Sequence, residues 1–172
     1  MTDFDSPLDP SLMDQFIDGG FEPVDYDGRM VYPQHWIDLE EGDVVQIEWL
    51  SAASQREQGV VVRLRIPDRT GRQGEGGSLQ CEELEGPAIR LWRRSAGPVA
   101  EVRCKSIPPG ARLLLRNLWD GPTGADEGLN NFGMLIERVD DRTVDLHCSD
   151  GYGARPNFRD MVVRVSLRPR SE

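Results

Sequence analysis

The fold is decided most clearly by residues 132–148, which have the sequence FGMLIERVDDRTVDLHC. Apolar and polar residues alternate on both sides of Asp140-Asp141, and a period of two is typical of strands that bury one face. The two aspartates between the alternating runs predict the tight turn of a β-hairpin. The stretch therefore predicts two antiparallel strands, Phe132–Val139 and Thr143–Cys148.

The same alternation recurs along the rest of the chain. In Met161–Arg168, one strand face carries only apolar side chains and the other is mostly polar. The apolar face consists of Met161, Val163, Val165 and Leu167, and the other of Val162, Arg164, Ser166 and Arg168. The other predicted strands are Val44–Trp49, Val60–Ile66, Ser78–Glu82, Ala88–Arg93, Val99–Lys105 and Arg112–Trp119. Short strands at this spacing, with no long amphipathic helical segment, predict an all-β fold. The expected architecture is an antiparallel β-sandwich of jelly-roll or Greek-key type.

The first 28 residues differ in composition and predict an acidic N-terminal arm, followed by one sandwich domain over residues 29–172. Residues 1–48 carry 13 acidic side chains and one basic one. Asp9 or Ser11 is the expected N-cap of a short helix, with Asp14 completing a capping box and Gly19-Gly20 ending it. The sequence leaves open whether this helix covers its own domain, is disordered, or docks on another protein.

Composition narrows the class of protein. No run of about 18 apolar residues is present, so no membrane span is expected. The acidic N-terminus lacks the basic and apolar regions of a Sec-type signal peptide, which makes the cytoplasm the expected location and leaves leaderless export open. The three cysteines are expected to be reduced, and Cys104 and Cys148 to face the core.

Arginine supplies 19 of the 20 basic side chains. Codon usage in a GC-rich genome is one explanation, and a surface that binds anions through bidentate arginine forks is the other. The net charge of −10 argues against a nucleic-acid partner. One hypothesis is that the acidic arm covers the arginines and imitates an anionic ligand.

The sequence does not predict an enzyme. Neither His35 nor His147 accompanies a serine or cysteine in a nucleophile motif. The chain also lacks a phosphate-binding P-loop and an HExxH zinc motif. Paired carboxylate catalysis cannot be judged from sequence because it depends on a distance in space.

The tryptophans divide into core and surface candidates. Trp49 shares a strand face with apolar residues and is expected in the core. Trp92 shares a predicted face with Arg90 and Arg94, opposite the apolar residues of the same strand. An exposed tryptophan beside arginine can stack on a sugar or anchor a protein contact. Trp92 and Arg90 are therefore candidate ligand-binding residues.

The densest group of unusual residues is SDGYGARPNFRDMVVRV, residues 149–165. A polar, glycine-rich loop leads through an Asn-Phe-Arg-Asp step into a valine-rich strand. This stretch resembles the calcium loop of the calcium-mediated bacterial lectins and of related calcium-binding β-sandwich domains. The resemblance implies sugar binding and a calcium ion. The implied metal ligands are Asp150, Asn157 and Asp160, with Glu137 or Asp145 as a further ligand.

The resemblance leaves a second interpretation of the same loop open. Arg155 and Arg159 stand where that family has an acidic residue and an asparagine, and positive side chains repel a cation. If calcium has been lost, Asp160 is expected to pair with one of these arginines and brace the loop.

A second polar loop, residues 120–131 (DGPTGADEGLNN), is expected beside residues 149–160 at one end of the sandwich, where loops cluster. Candidate ligand-binding residues in the two loops are Asp126, Asn130, Asn131, Tyr152 and Asn157. The sequence thus predicts a non-catalytic, lectin-like binding module for a glycan. The alternative is a structural or assembly protein, of phage or secretion-apparatus type, whose arm contacts another protein in an oligomer.

Overall fold

A computed structural model describes residues 10–65, 77–121, 124–151 and 155–168, with Asp126 described for its backbone alone. The end of the predicted strand at Ile66, the following residues 67–76, and Tyr152 lie outside the described residues. Within the described part the protein is mostly β-strand, with two short helices, α1 (Leu12–Asp18) and α2 (Arg93–Ala96). Neither helix has the length and apolar character needed to cross a membrane.

The described strands include all nine that the alternation predicts, with ends that differ by at most two residues where both are described. The strands are β1 (Val24–Tyr26), β2 (Arg29–Val31), β3 (His35–Asp38), β4 (Val44–Ser51), β5 (Gln58–Arg65), β6 (Ser78–Cys81), β7 (Leu84–Gly86), β8 (Ala88–Trp92), β9 (Val99–Ser106), β10 (Arg112–Gly121), β11 (Gly124–Asp126), β12 (Gly133–Asp140), β13 (Thr143–Ser149) and β14 (Met161–Arg168). The five strands that were not predicted, β1, β2, β3, β7 and β11, have three or four residues each, too few to show a period.

Two antiparallel sheets form the body of the protein. One contains seven strands in the order β12-β13-β14-β4-β9-β6-β7, and the other contains β11-β10-β5-β8 with β3 also paired to β10. The main core includes inward-facing residues of both sheets, such as Ile47 and Val163 on the larger and Val62 and Leu115 on the smaller. The predicted antiparallel β-sandwich is confirmed.

Burial follows the alternation that predicted the strands. β9 alternates exposed and buried side chains over its first six residues, and Cys104 is one of the buried ones. Cys148 on β13 and Cys81 on β6 are also buried, and all three thiols are free. Burial raises the pKa of the Cys104 thiol to about 12, and the charge of Asp43 adds to the effect. These cysteines therefore act as small apolar core residues.

Helix α1 has the predicted N-terminal structure. Ser11 is the N-cap, and its side chain and that of Asp14 accept hydrogen bonds from each other's backbone N–H, which is the capping box. The helix buries Leu12 and Phe16 in a second apolar cluster with residues of the sandwich, among them Phe132. The sequence left open whether this helix covers its own domain, and the structure shows that it does. Residues 1–9 lie outside the described part.

Glycine permits this close packing of helix α1 on the sandwich. Gly133 has φ +156°, and a Cβ atom there would lie 2.7 Å from Val31 Cγ1 and 3.5 Å from Phe16 Cζ. A side chain at this position would therefore push the helix and β2 away from β12.

Candidate ligand-binding site

Trp92 ends β8, the terminal strand of the smaller sheet. Strand register places it opposite Gly59 of β5. A Cβ atom at Gly59 would lie 3.2 Å from Trp92 Cε3 and only 2.5 Å from Leu91 O. Glycine therefore lets the indole ring lie close against the sheet, where Trp92 is half-buried.

An open cleft of about 380 Å³ lies beside this indole ring, and we call it the Trp92 cleft. Its lining contains apolar groups, charged groups of both signs and a hydroxyl. The lining residues are Cys81, Glu82, Glu83, Leu84, Arg90, Leu91, Trp92, Ser95 and Ala96. Binding sites for polar ligands commonly combine an aromatic surface with a few polar groups of this kind. The structure thus brings the two predicted residues Trp92 and Arg90 into one cleft.

Arg94 corrects one detail of the sequence prediction. Strand β8 stops at Trp92 and helix α2 begins at Arg93. Arg94 therefore does not share a strand face with Trp92. Its guanidinium lies 3.6 Å from the carboxylate of Glu57, outside the cleft.

The outer surface of the smaller sheet carries five arginines, which we call the arginine face: Arg63, Arg65, Arg90, Arg112 and Arg116. Register places Val61 of β5 between Arg90 on β8 and Arg116 on β10. Val61 is outward-facing and yet only 1% exposed. Such burial is expected where the long aliphatic stems of arginines lie across a sheet surface.

Glu127 places its carboxylate on the arginine face. Arg63 donates two hydrogen bonds to it, from Nη1 to Oε2 at 2.9 Å and from Nη2 to Oε1. Arg116 Nη1 lies 3.9 Å from the same Oε2. Burial raises the pKa of the Glu127 carboxyl, but Arg63 and Arg116 outweigh burial, and the net pKa is below its usual value. A bidentate charge-assisted pair of this kind is stronger than an ordinary surface ion pair.

Glu127 compensates only part of the positive charge on this face, and Asp38 compensates another part through its ion pair with Arg112 at 2.8 Å. Arg116 Nη2 donates to Gln34 Oε1 at 2.6 Å, but its buried Nε has no hydrogen-bond partner among the described residues. Burial lowers the pKa of Arg116, Glu127 opposes this, and Arg63 and Arg65 lower it further. An arginine does not lose its proton in proteins, so the free-energy cost of burying this charge beside other arginines is offset by nearby anions or water.

The two polar end loops meet, as the sequence predicts. Asn130 Nδ2 donates to Gly151 O at 3.3 Å, and Asn131 Oδ1 accepts the N–H of Leu12 at 3.2 Å. Asn130 also has φ +51°, a conformation that asparagine tolerates better than most residues. The two amides were predicted to face a ligand, whereas these contacts join the loops and helix α1 to each other.

Asp150 and Asp160, here called the acid pair, lie buried under these loops. Asp150 Oδ2 accepts hydrogen bonds from Ser54 Oγ at 2.7 Å and from Gln58 Nε2 at 3.0 Å. Asp160 Oδ2 accepts the N–H of Asp150 at 2.9 Å. The pKa of Asp160 is raised to about 6. Burial is the largest cause, the Asp150 N–H opposes it, and the charge of Asp150 and a hydrogen bond between the two carboxyls add to it.

The acid pair is the part of the predicted calcium site that the structure brings together. Calcium takes roughly 6–8 oxygen ligands, but the oxygens named above already accept hydrogen bonds from protein groups. Asn157 Oδ1 likewise accepts the N–H of Arg159 at 3.1 Å. In the described part of the chain, no three or more histidine, cysteine, aspartate or glutamate side chains are grouped to hold a metal. These contacts fit a shared proton better than a metal ion, and calcium binding stays a prediction.

The further calcium ligands that the resemblance implies, Glu137 and Asp145, have other partners, and the expected ion pair of Asp160 with an arginine is not formed among the described residues. Asp145 pairs with Arg164 through two hydrogen bonds of 2.8 and 3.0 Å. Glu137 lies 2.9 Å from His147 Nε2. Neither arginine of residues 155–159 forms an ion pair with Asp160 in the described structure. Asp160 therefore braces the loop through the backbone of Asp150, not through an arginine.

Two buried amide oxygens complete this end of the sandwich. Gln58 Oε1 and Asn117 Oδ1 have no hydrogen-bond partner among the described residues. Asn117 Nδ2 donates to Ser149 O at 2.9 Å, beside Asp150 in the chain. Unpartnered acceptors in a polar buried region are the usual partners of an internal water molecule.

His35 is one of the two histidines that were considered as catalytic bases. Burial, with a smaller contribution from the charge of Arg112, lowers the pKa of His35 to about 4. Its cleft, of about 280 Å³, also contains Asp38 and Asp140. No hydrogen bond joins His35 to a carboxylate among the described residues, so the base-orienting contact of a catalytic pair is not formed there.

No protein-family model, curated protein or solved structure matches the chain. The function is therefore inferred from the side chains of this protein alone. Apart from Trp92 and Arg90, the lining of the Trp92 cleft was not predicted from sequence, and neither was the Glu127 contact, because both depend on which strands and loops become neighbours.

Proposed function

We propose that the protein is a non-catalytic binding module for carbohydrate and that the Trp92 cleft is its binding site. The observation that carries this proposal is the half-buried indole of Trp92, held against Gly59 beside an open cleft with Arg90, Glu82 and Ser95 in its lining. A sugar has an apolar ring face and polar hydroxyls. An aromatic ring beside hydrogen-bonding groups of both kinds complements that surface.

This proposal moves the expected binding site away from the end loops. Asn130 and Asn131 make internal contacts there, and Asn157 caps its own turn. Asp126 and Tyr152 cannot be assigned a contact because their side chains lie outside the described part. The Trp92 cleft, in contrast, presents side chains that face open space.

The test combines a carbohydrate screen with a matched pair of tryptophan variants. Neutral and acidic oligosaccharides are screened on a microarray, and the strongest binder is measured by calorimetry. Trp92→Ala is expected to weaken binding by about tenfold or more, as for a central aromatic anchor. Trp36→Ala is the control, because Trp36 is also half-buried on this sheet but lies under Arg112 outside the cleft.

Two outcomes would count against carbohydrate binding through this cleft. The absence of any glycan binding by the folded wild-type protein would rule out the proposed function. Equal weakening by the two tryptophan variants would show that Trp92 has no special role.

A second candidate function is assembly with another protein. Three large apolar side chains near the N-terminus, Ile17, Phe21 and Met30, are 55%, 39% and 51% exposed. Exposed apolar groups beside an acidic segment are suited to a protein interface. Light scattering on the purified protein tests for a homo-oligomer. A defined oligomer that dissociates in Ile17→Ser/Met30→Ser would favour assembly, and a monomer in both would oppose self-assembly.

A further inference from the structure

The Trp92 cleft continues into a second cleft on the arginine face. The second cleft has a volume of about 370 Å³ and is lined by Val61, Arg63, Leu84, Glu85, Ala88, Ile89 and Arg90. Arg90 and Leu84 belong to the lining of both clefts. A ligand longer than one sugar ring that lies on Trp92 therefore meets Arg90 next and Arg63 after it.

Arg90 has a guanidinium available for such a ligand. It is exposed, and it forms no hydrogen bond or ion pair with any described residue. It lies two positions before Trp92 on the same side of β8, a separation of about 7 Å along the strand. Trp92 and Arg90 can therefore contact adjacent parts of one ligand.

The neighbouring Arg63 already shows which chemical group this surface accepts. Arg63 holds the carboxylate of Glu127 in a bidentate fork, and Arg116 lies within 3.9 Å of it. Arg90 is close enough to contribute to the lowered pKa of Glu127. The surface between these arginines thus has the shape and charge for a carboxylate.

We propose that the ligand is an acidic glycan whose carboxylate binds between Arg90 and Arg63, and that Glu127 is an internal competitor for this position. This inference rests on the proposed function, since it places a sugar ring on Trp92. It also revises the idea of an internal anion mimic: among the described residues that carboxylate belongs to Glu127, in the loop after β11, and not to the acidic arm. Removing Glu127 would raise the fraction of protein that is ready to bind.

The remaining charges favour one carboxylate on a sugar over a polyphosphate. The Trp92 cleft also contains Glu82 and Glu83, and the second cleft contains Glu85. Together with the net charge of −10, these carboxylates repel a ligand with closely spaced negative groups. They can accept hydrogen bonds from sugar hydroxyls, which phosphates do not offer.

The test uses a trisaccharide of two galactose residues and one galacturonic acid residue, which carries a single carboxylate, and its neutral all-galactose counterpart, measured by calorimetry at low salt. We expect the wild-type protein to prefer the acidic trisaccharide. Arg90→Gln is expected to weaken binding of the acidic trisaccharide by about tenfold and to change binding of the neutral one by less than about twofold. Arg94→Gln is the matched control, because Arg94 is exposed nearby but outside both clefts.

Glu127→Gln tests the competition. This variant is expected to bind the acidic trisaccharide about three to ten times more tightly than the wild type, with little change for the neutral trisaccharide. Glu41→Gln is the control, since Glu41 is exposed and outside both clefts, and its removal takes away one negative charge without freeing Arg63. An equal gain in both variants would show a general charge effect and overturn the role of Glu127 as competitor.

Failure of this inference is distinguishable from failure of the proposed function. Equal binding of the two trisaccharides, with loss in Trp92→Ala and none in Arg90→Gln, would overturn the acidic specificity and retain the carbohydrate site. If the protein binds neither trisaccharide and no glycan in the screen, both the acidic specificity and the carbohydrate-binding function are ruled out. Tighter binding of a single-stranded oligonucleotide than of any glycan would overturn the choice of ligand class.

Discussion

Five arginines lie on the outer surface of one sheet, and two aspartates lie buried together at the end of the sandwich. Both are clusters of like charge, but the protein stabilises them by different means. The arginines cannot give up a proton, so anions compensate them: Glu127 lies beside Arg63 and Arg116, and Asp38 pairs with Arg112 at 2.8 Å. The aspartates can take up a proton, and the pKa of Asp160 rises to about 6.

The comparison shows that the ordinary pKa of a side chain decides how a crowded charge is compensated. It also predicts opposite pH dependence for the two regions. Glu127 has a lowered pKa, so its stabilising contribution is complete above its ordinary value and is lost as the pH falls through the lowered pKa. Asp160 has a raised pKa, so its contribution is complete below 3.8 and is lost as the pH rises through about 6.

The largest expected effect comes from breaking the acid pair at Asp150. Asp150→Ala leaves the hydroxyl of Ser54 and the amide of Gln58 without an acceptor in a buried region, so we expect a loss of about 3 kcal/mol in the free energy of unfolding. Urea denaturation measures it. The exposed Asp141→Ala is the control and should change the value by less than about 0.5 kcal/mol. A loss as small as the control's would mean that the acid pair does not hold the loop.

The next effect concerns the shared proton. Asp160→Asn can still accept the N–H of Asp150, while its amide donates to the Asp150 carboxylate as the protonated acid does. Relative to this variant, the wild type should lose about 1–2 kcal/mol of stability between pH 4 and pH 7, allowing for solvent screening. Urea denaturation at both pH values measures the difference. Parallel pH profiles in the two proteins would show that Asp160 has an ordinary pKa.

The arginine face should respond less, because water reaches it. Glu127→Gln is expected to cost about 0.5–1 kcal/mol at low salt, and less in high salt, where charges are screened. Glu85→Gln provides the comparison, since Glu85 forms an exposed ion pair with Lys105 at 3.6 Å. A larger cost for Glu85 than for Glu127 would show that the bidentate contact with Arg63 contributes little.

Calcium should have the smallest effect. Since Asp150 Oδ2 and Asp160 Oδ2 already accept hydrogen bonds from protein groups, we expect the melting temperature in calcium and in EDTA to agree within about one degree. An ion that binds the folded state at a hundredfold excess over its Kd would add about 2.7 kcal/mol. An increase of several degrees in the melting temperature in calcium would therefore support the metal site that the resemblance of residues 149–165 implies.

The sequence predicted the local parts of this fold well. The strands follow from alternation, and helix α1 follows from Ser11 and Asp14, because both signals act within a few residues. Trp92 and Arg90 were predicted to share a strand face for the same reason, and both line one cleft; their role in ligand binding stays a prediction. Arg94 was misplaced because nothing in the local pattern showed that β8 would give way to a helix at Arg93.

The sequence by itself therefore determined an all-β chain with inward cysteines, outward arginines and a capped N-terminal helix. Only the tertiary structure decided that Gly59 lies under Trp92, that Glu127 meets Arg63, and that Asp150 and Asp160 share a buried region. Each of these contacts joins different strands or loops, and alternation does not specify which strand becomes the neighbour of another. Long-range packing of the two sheets made that choice, and with it the position of the candidate site.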